Sequence, residues 1–344
     1  MNPLIWFTLI MSLLTSTIIT MSSNHWLLAW MGLELNTLSV LPVIMKSHHP
    51  RATEATTKYF LVQATAATMI LLASITNAWQ TGQWSTQHTS PTTTLIITTA
   101  IMLKLGMAPV HLWYPQVLQG MTMNAALIIS TWQKIAPLTL LYMTHHTLNH
   151  TVLLLLGLTS ALVGGWAGLN QTQTRMIMAF SSIAHMGWLI TALTLNQDLA
   201  TLTMLMYMAM TISTFMPLAT TTKTITDIGT TWPLSPITLA TMMLALMSLG
   251  GLPPLTGFTP KLLILKELSS TSLTTIATII LMASLPSLFF YIRLAYLTML
   301  TTPPTTTNTE HKWRFKLNQP TYTAPMIMTT TLMLPMTALL YTTT

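Results

Sequence analysis

Apolar runs of about twenty residues, separated by short polar intervals, dominate this chain from end to end. A membrane crossing needs about 20 mostly apolar residues. Eleven stretches meet that length: 3–21, 25–45, 58–78, 92–116, 122–143, 151–169, 176–195, 199–221, 236–267, 273–298 and 324–342. No stretch alternates polar and apolar residues as a half-buried strand would. The pattern predicts an all-α polytopic membrane protein with about eleven transmembrane helices in a single membrane domain over 1–344. The ninth stretch is too long for one straight crossing. It holds "GGLPPLTGFTPK", whose glycines and prolines predict a helix that breaks at membrane depth. Such a break is tolerated only where protein or a wet cavity surrounds it.

Composition agrees with the pattern. Hydrophobic residues make up 51% of the 344, and only 6% are charged. A soluble domain carries about 25% charged residues, so this chain could not cover a large soluble surface. The mean hydropathy is +0.59. There is no cysteine, which excludes disulfides and Cys-ligated zinc or iron–sulfur centres. The net charge of +7 does not suggest nucleic acid, because the basic residues stand singly between apolar runs. The first residues carry no basic region followed by a small-residue cleavage site, so a removable leader is not expected. Abundant threonine and 28 methionines are read as helix-surface filling. A threonine hydroxyl can return to its own helix backbone and so be carried in lipid.

The basic residues instead fix an orientation. Lys46, Arg51 and Lys58 lie around the loop after the second stretch, Arg175 after the sixth and Lys223 after the eighth. Arg293, Lys312, Arg314 and Lys316 flank the loop after the tenth. Lys266 alone lies near an opposite loop. The bias toward one face sets topology, so the N-terminus is expected on the basic side and the C-terminus on the other.

A positional repeat runs through the chain. Residues 1–150 and 151–300 each hold five stretches, followed by a loop at 301–323 and a last helix at 324–344. In each unit the fourth stretch carries a lysine beside a proline: Lys104 before Pro109, and Lys261 after Pro260. In each the second carries a central titratable group, Glu34 or His185. Five crossings per unit would make the two units inverted repeats with broken helices, an architecture of secondary transporters.

Glu34, Lys104, Lys134 and Lys261 therefore lie where charge is most expensive, at roughly 2.5–3.5 kcal/mol each on insertion scales. Snorkelling would relieve a lysine near a helix end, and a static ion pair would relieve Glu34. A buried lysine beside a movable carboxylate can also take up and release a proton. Pro109 frees the carbonyl of Leu105, and Pro137 that of Gln133. His111, seven residues after Lys104, would share its face if the helix continued. Pro260 should open the resuming ninth helix, placing Lys261 near its positive end. The candidate relay is thus Glu34, Lys104, Lys134, Lys261, His111 and His185, with no metal or cofactor ligand assigned. A bis-histidine haem is disfavoured because His48, His49, His145, His146 and His150 fall at loops.

Two stretches carry a family resemblance: "KLGMAPVHLWYPQVLQGMTMNAALIISTWQK" and "GGLPPLTGFTPK". With "SSNHWLLAWMGLELNTL" and "SHHPRATEATTKYFLVQATAA", the chain resembles the antiporter-like proton-pumping subunits of respiratory complex I and the related cation/proton antiporters. The resemblance extends over nearly the whole chain. It matches Glu34 to the family's membrane glutamate, Lys104 and Lys261 to the broken-helix lysines, and Lys134 to the central-axis residue. It implies proton translocation coupled to electron transfer in other subunits, which would handle NADH, FMN, iron–sulfur clusters and ubiquinone. It also implies the mitochondrial inner membrane, with the basic face toward the matrix. The expected partners are other complex I membrane subunits, especially subunits 4 and 4L, and lipids such as cardiolipin. A stand-alone cation/proton antiporter and a structural spacer whose ion pairs only hold helices together are the alternatives.

Overall fold

The computed structural model describes residues 3–46, 48–221, 224–229 and 236–300, with Pro325, Met328, Thr330 and Thr331. The described residues are helical almost throughout. The order is α1 (Pro3–Ser22), α2 (Trp26–Met45), α3 (Pro50–Thr81), α4 (Pro91–Leu105), α5 (Trp113–Gly120), α6 (Met123–Ser130) and α7 (Ile135–Thr144). Then come α8 (His150–Gly168), α9 (Thr174–Leu195), α10 (Gln197–Thr221), α11 (Ile225–Gly229), α12 (Pro236–Gly250), α13 (Phe258–Ser270) and α14 (Thr274–Leu300). Among the described residues seven helices are long and apolar enough to cross a membrane: α1, α2, α3, α8, α9, α10 and α14. The fourth, fifth and ninth stretches each become two shorter helices. The last stretch, 324–342, and the 301–323 loop fall almost wholly outside the described residues.

The chain separates into two compact units, Met1–Leu156 and Gly157–Thr344. In the first, α3 packs against α2, α4 and α5, while α7 packs against α1, α2 and α4. The inward face of α3 reads Ala52, Ala55, Thr56, Tyr59, Gln63, Ala66, Ala67 and Ile70. Its small residues let neighbouring backbones approach closely, which is how helices associate without a hydrophobic drive between them. In the second unit α9 is buried over nearly its whole length and packs against α10, α13 and α14. It meets α8 through glycines: a Cβ on Gly187 would lie 2.6 Å from the Gly157 carbonyl oxygen.

The outward faces are apolar. Leu4, Phe7 and Ile18 of α1 are 68%, 64% and 61% exposed, a surface that lipid satisfies and water does not. Ser and Thr hydroxyls fold back onto their own helices, as Ser16 does onto the Leu13 carbonyl (2.9 Å) and Thr191 onto that of Trp188 (2.8 Å).

The first broken helix stops earlier than its proline suggests. Gly106 adopts a left-handed φ of +70°. Its N–H bonds the Leu103 carbonyl, and that of Met107 bonds Met102. This Schellman arrangement closes a helix at glycine, so α4 ends at Leu105, four residues before Pro109. The Ala108–Pro109 bond is cis. The second broken helix ends identically: Gly251 has φ +82°, its N–H bonds Ser248, and Leu252 bonds Met247. The 251–257 crossing is then pressed close, since a Cβ on Gly257 would overlap the Ser248 carbonyl oxygen. The Ser248 and Thr256 hydroxyls both reach the Thr330 carbonyl.

Candidate functional site: buried lysines at three helix breaks

Three interruptions carry the three lysines. Lys104 occupies the last turn of α4. A cation there is favoured by the negative end of the helix dipole. Lys134 closes a 3₁₀ turn, Trp132–Lys134, that separates α6 from α7. Pro137 contributes to that turn: it has no N–H for the Gln133 carbonyl, so a regular α-turn cannot form there. Lys261 lies in the first turns of α13, and its side chain reaches back across the break. Its Nζ donates to the Gly250 carbonyl at 2.9 Å. The nitrogen thus meets the negative end of α12, not the positive end of its own helix as the position of Pro260 suggested. Side chains lean toward their helix N-terminus, and here that direction leads over Gly251. A Cβ on Gly251 would stand 2.9 Å from the lysine nitrogen.

In the first unit Lys104 and Lys134 are 6% and 2% exposed and line one enclosed cavity. The remaining wall mixes polar Asn36, Thr37, Tyr59, Gln63, Tyr114 and Gln133 with apolar Leu33, Leu105, Trp113, Ile129 and Pro137. Its space suits about one water molecule. Gln63 donates to the Lys104 carbonyl (3.4 Å), Tyr59 to Gln133 Oε1 (3.4 Å), and Gln133 Nε2 to Asn36 Oδ1 (3.1 Å). The Lys134 ammonium sits over the Tyr114 ring, 5.1 Å from its centroid, a contact worth about 0.5–2 kcal/mol.

Glu34 is not part of this wall. α2 turns Leu33, Asn36 and Thr37 toward the cavity, and Glu34 falls on the neighbouring face. Its Oε2 and the Lys104 nitrogen are each buried without a hydrogen-bond partner. The static ion pair considered from sequence is therefore not formed with Lys104. His111 also stands apart. Because α4 stops at Leu105, the seven-residue spacing from Lys104 places nothing on a common face. His111 lies in the interruption, where its carbonyl accepts from Tyr114 N–H at 3.0 Å.

In the second unit Lys261 and His185 meet the same face of α9. The Lys261 nitrogen is 5.8 Å from the centre of the Trp188 ring, one turn beyond His185. His185 Nε2 lies 3.4 Å from the Tyr291 hydroxyl, and its ring is 5.7 Å from that of Tyr207. The structure thus groups Lys104 with Lys134, and brings Lys261 to Trp188 on the helix that carries His185. The sequence reading missed the neutral polar partners. A signal was present: Tyr59 and Gln63 are one helical turn apart on a face of small residues, and Asn36 and Gln133 sit beside Glu34 and Lys134.

Apolar helices broken beside lysines, in an all-helical membrane fold, make this an antiporter-like membrane domain. The family profile described as NADH:quinone oxidoreductase/Mrp antiporter, transmembrane, matches residues 23–287, and the chain belongs to that family. Within it the chain falls with chain 2 of NADH-ubiquinone oxidoreductase. A profile for the NADH dehydrogenase subunit 2 C-terminus matches residues 288–341. The chain is 51% identical to NADH-ubiquinone oxidoreductase chain 2 of Gallus gallus over 344 residues, covering 99% of both. It is 51% identical to that of Carassius auratus over 348 residues, covering 100% of both. The fold is similar to a chain of Thermus thermophilus respiratory complex I, with TM-score 0.79, 24% identity, and 96% and 79% of the two chains covered. It is also similar to a chain of the Mrp complex of Dietzia sp., with TM-score 0.81, 15% identity, and 97% and 75% covered.

Proposed function

We propose that this chain translocates protons within NADH:ubiquinone oxidoreductase, through buried lysines whose loading is coupled to electron transfer in other subunits. NADH, FMN, the iron–sulfur clusters and ubiquinone are handled by those subunits, and this chain supplies no redox group. It sits in the mitochondrial inner membrane with its N-terminus toward the matrix and its C-terminus toward the intermembrane space. Its neighbours are other membrane subunits, subunits 4 and 4L among them, and lipids such as cardiolipin.

One observation carries the reading: Lys104 and Lys134 share a cavity that suits about one water and is lined in part by amides and hydroxyls. A lysine can give a proton to that water and take one back, and the second lysine can receive it. Glu34 is the carboxylate of the relay, and movement of either side chain would change its distance from Lys104. Lys261 and His185 form the second station, with the Gly250 carbonyl holding the charged lysine.

Lys104→Met tests the proposal. It removes an unpartnered buried charge, so assembly should be kept or improved while proton pumping driven by NADH oxidation falls sharply. Glu34→Gln should weaken pumping as well. Wild-type proton-to-electron ratios at wild-type rates in both variants would sink the proposal.

A further inference from the structure

Gln133 stands out among the groups the relay does not use. An amide takes no proton at working pH, yet this one is buried beside Lys134 and uses both ends of its side chain. Its Oε1 accepts from the Tyr59 hydroxyl of α3 at 3.4 Å, and its Nε2 donates to Asn36 Oδ1 of α2 at 3.1 Å. Tyr59 and Asn36 are each 2% exposed. All three side chains form the wall of the cavity that Lys104 and Lys134 line.

The two bonds fix one orientation of the amide. With its hydrogen committed to Gln133, the Tyr59 hydroxyl can meet the cavity only as an acceptor. A water between the lysines must then point a hydrogen at Tyr59, which leaves its lone pairs for a lysine N–H. Reversing the Gln133 amide alone would set oxygen against the Asn36 carbonyl oxygen, so the two amides keep or change their orientation together.

We infer that Gln133 is a positioning residue for proton transfer between Lys104 and Lys134, and that the Tyr59–Gln133–Asn36 chain orients the water that connects them. This rests on the relay proposed above. It goes further by naming neutral residues, outside the charged set, that set the rate of one transfer.

The test uses assembled complex carrying Gln133→Met, Tyr59→Phe, both together, or Lys134→Met. Complex content and electron transfer with an artificial acceptor report assembly. Gln133→Met should lower pumping-coupled turnover by up to roughly tenfold, the upper end of the net worth of one neutral hydrogen bond. Its solvent deuterium isotope effect should rise, because proton transfer becomes slower than the other steps. Tyr59→Phe keeps the ring and should act the same way, which covers the case in which Gln133→Met does not assemble. The double variant should be no worse than the worse single one, as residues acting through a single device are not additive. Additive losses with an unchanged isotope effect would reduce the chain to packing and overturn the inference. Normal turnover in Gln133→Met and Tyr59→Phe, with loss in Lys134→Met, would overturn it and leave the relay standing. Normal turnover in Lys134→Met would remove the relay itself, and the inference with it.

Discussion

At the scale of single residues, two glycines with the same backbone geometry do different work. Gly82 and Gly251 have φ of +71° and +82°. A Cβ on Gly82 would enter open space, whereas one on Gly251 would press on Lys261. Left-handed backbone costs a non-glycine residue roughly 1–2 kcal/mol. Gly82→Ala should therefore lower thermal stability by about that amount and leave turnover intact. Gly251→Ala should carry the same strain and also drive the Lys261 nitrogen off the Gly250 carbonyl, lowering coupled turnover. Melting curves and NADH-driven pumping of the two variants side by side check this. Equal turnover in both would mean that the seat of Lys261 is unimportant.

At the scale of elements, the interruptions carry the chemistry. α4 and α12 end in the same glycine-capped geometry, which satisfies terminal carbonyls at membrane depth without water. The 3₁₀ turn at Lys134 has a different cause, the missing N–H of Pro137. Pro137→Ala should let the Gln133 carbonyl gain a helical bond, stabilising the complex by about 1 kcal/mol. It should also slow turnover by turning Lys134 away from the cavity. A more stable complex with unchanged turnover would show that the turn is incidental.

Much of this scale was legible in sequence. Apolar runs located the long helices to within a few residues, except that α3 starts at Pro50 and not near 58, and "GGLPPLTGFTPK" announced the second break. The stop at Gly106 was less visible, because glycine ends a helix only through its hydrogen-bonded cap, while proline in the same stretch draws the eye. The break at Thr131 fell inside a stretch read as one crossing, although Lys134 and Pro137 stand within it. At the site, charge in lipid marked the lysines at once. Asn36, Tyr59, Gln63 and Gln133 were harder to find, since neutral polar residues are cheaper in a membrane and become informative only when packing brings them together.

At the scale of the whole molecule, nine of the 13 basic residues crowd alternate loops. With the orientation proposed above, Lys312, Arg314 and Lys316 would face the matrix. Trypsin should cleave there in inverted vesicles and not in intact mitoplasts; cleavage in mitoplasts would reverse the topology. The central claim is that the buried lysines exchange protons and are not fixed positive charges. Lys261 tests this most directly, because arginine preserves the charge yet cannot release a proton in a protein. The measurement is protons pumped per NADH oxidised by assembled complex carrying Lys261→Arg, beside Lys261→Met. The account predicts that arginine fails nearly as badly as methionine. Rescue by arginine, with wild-type stoichiometry and rate, would contradict it.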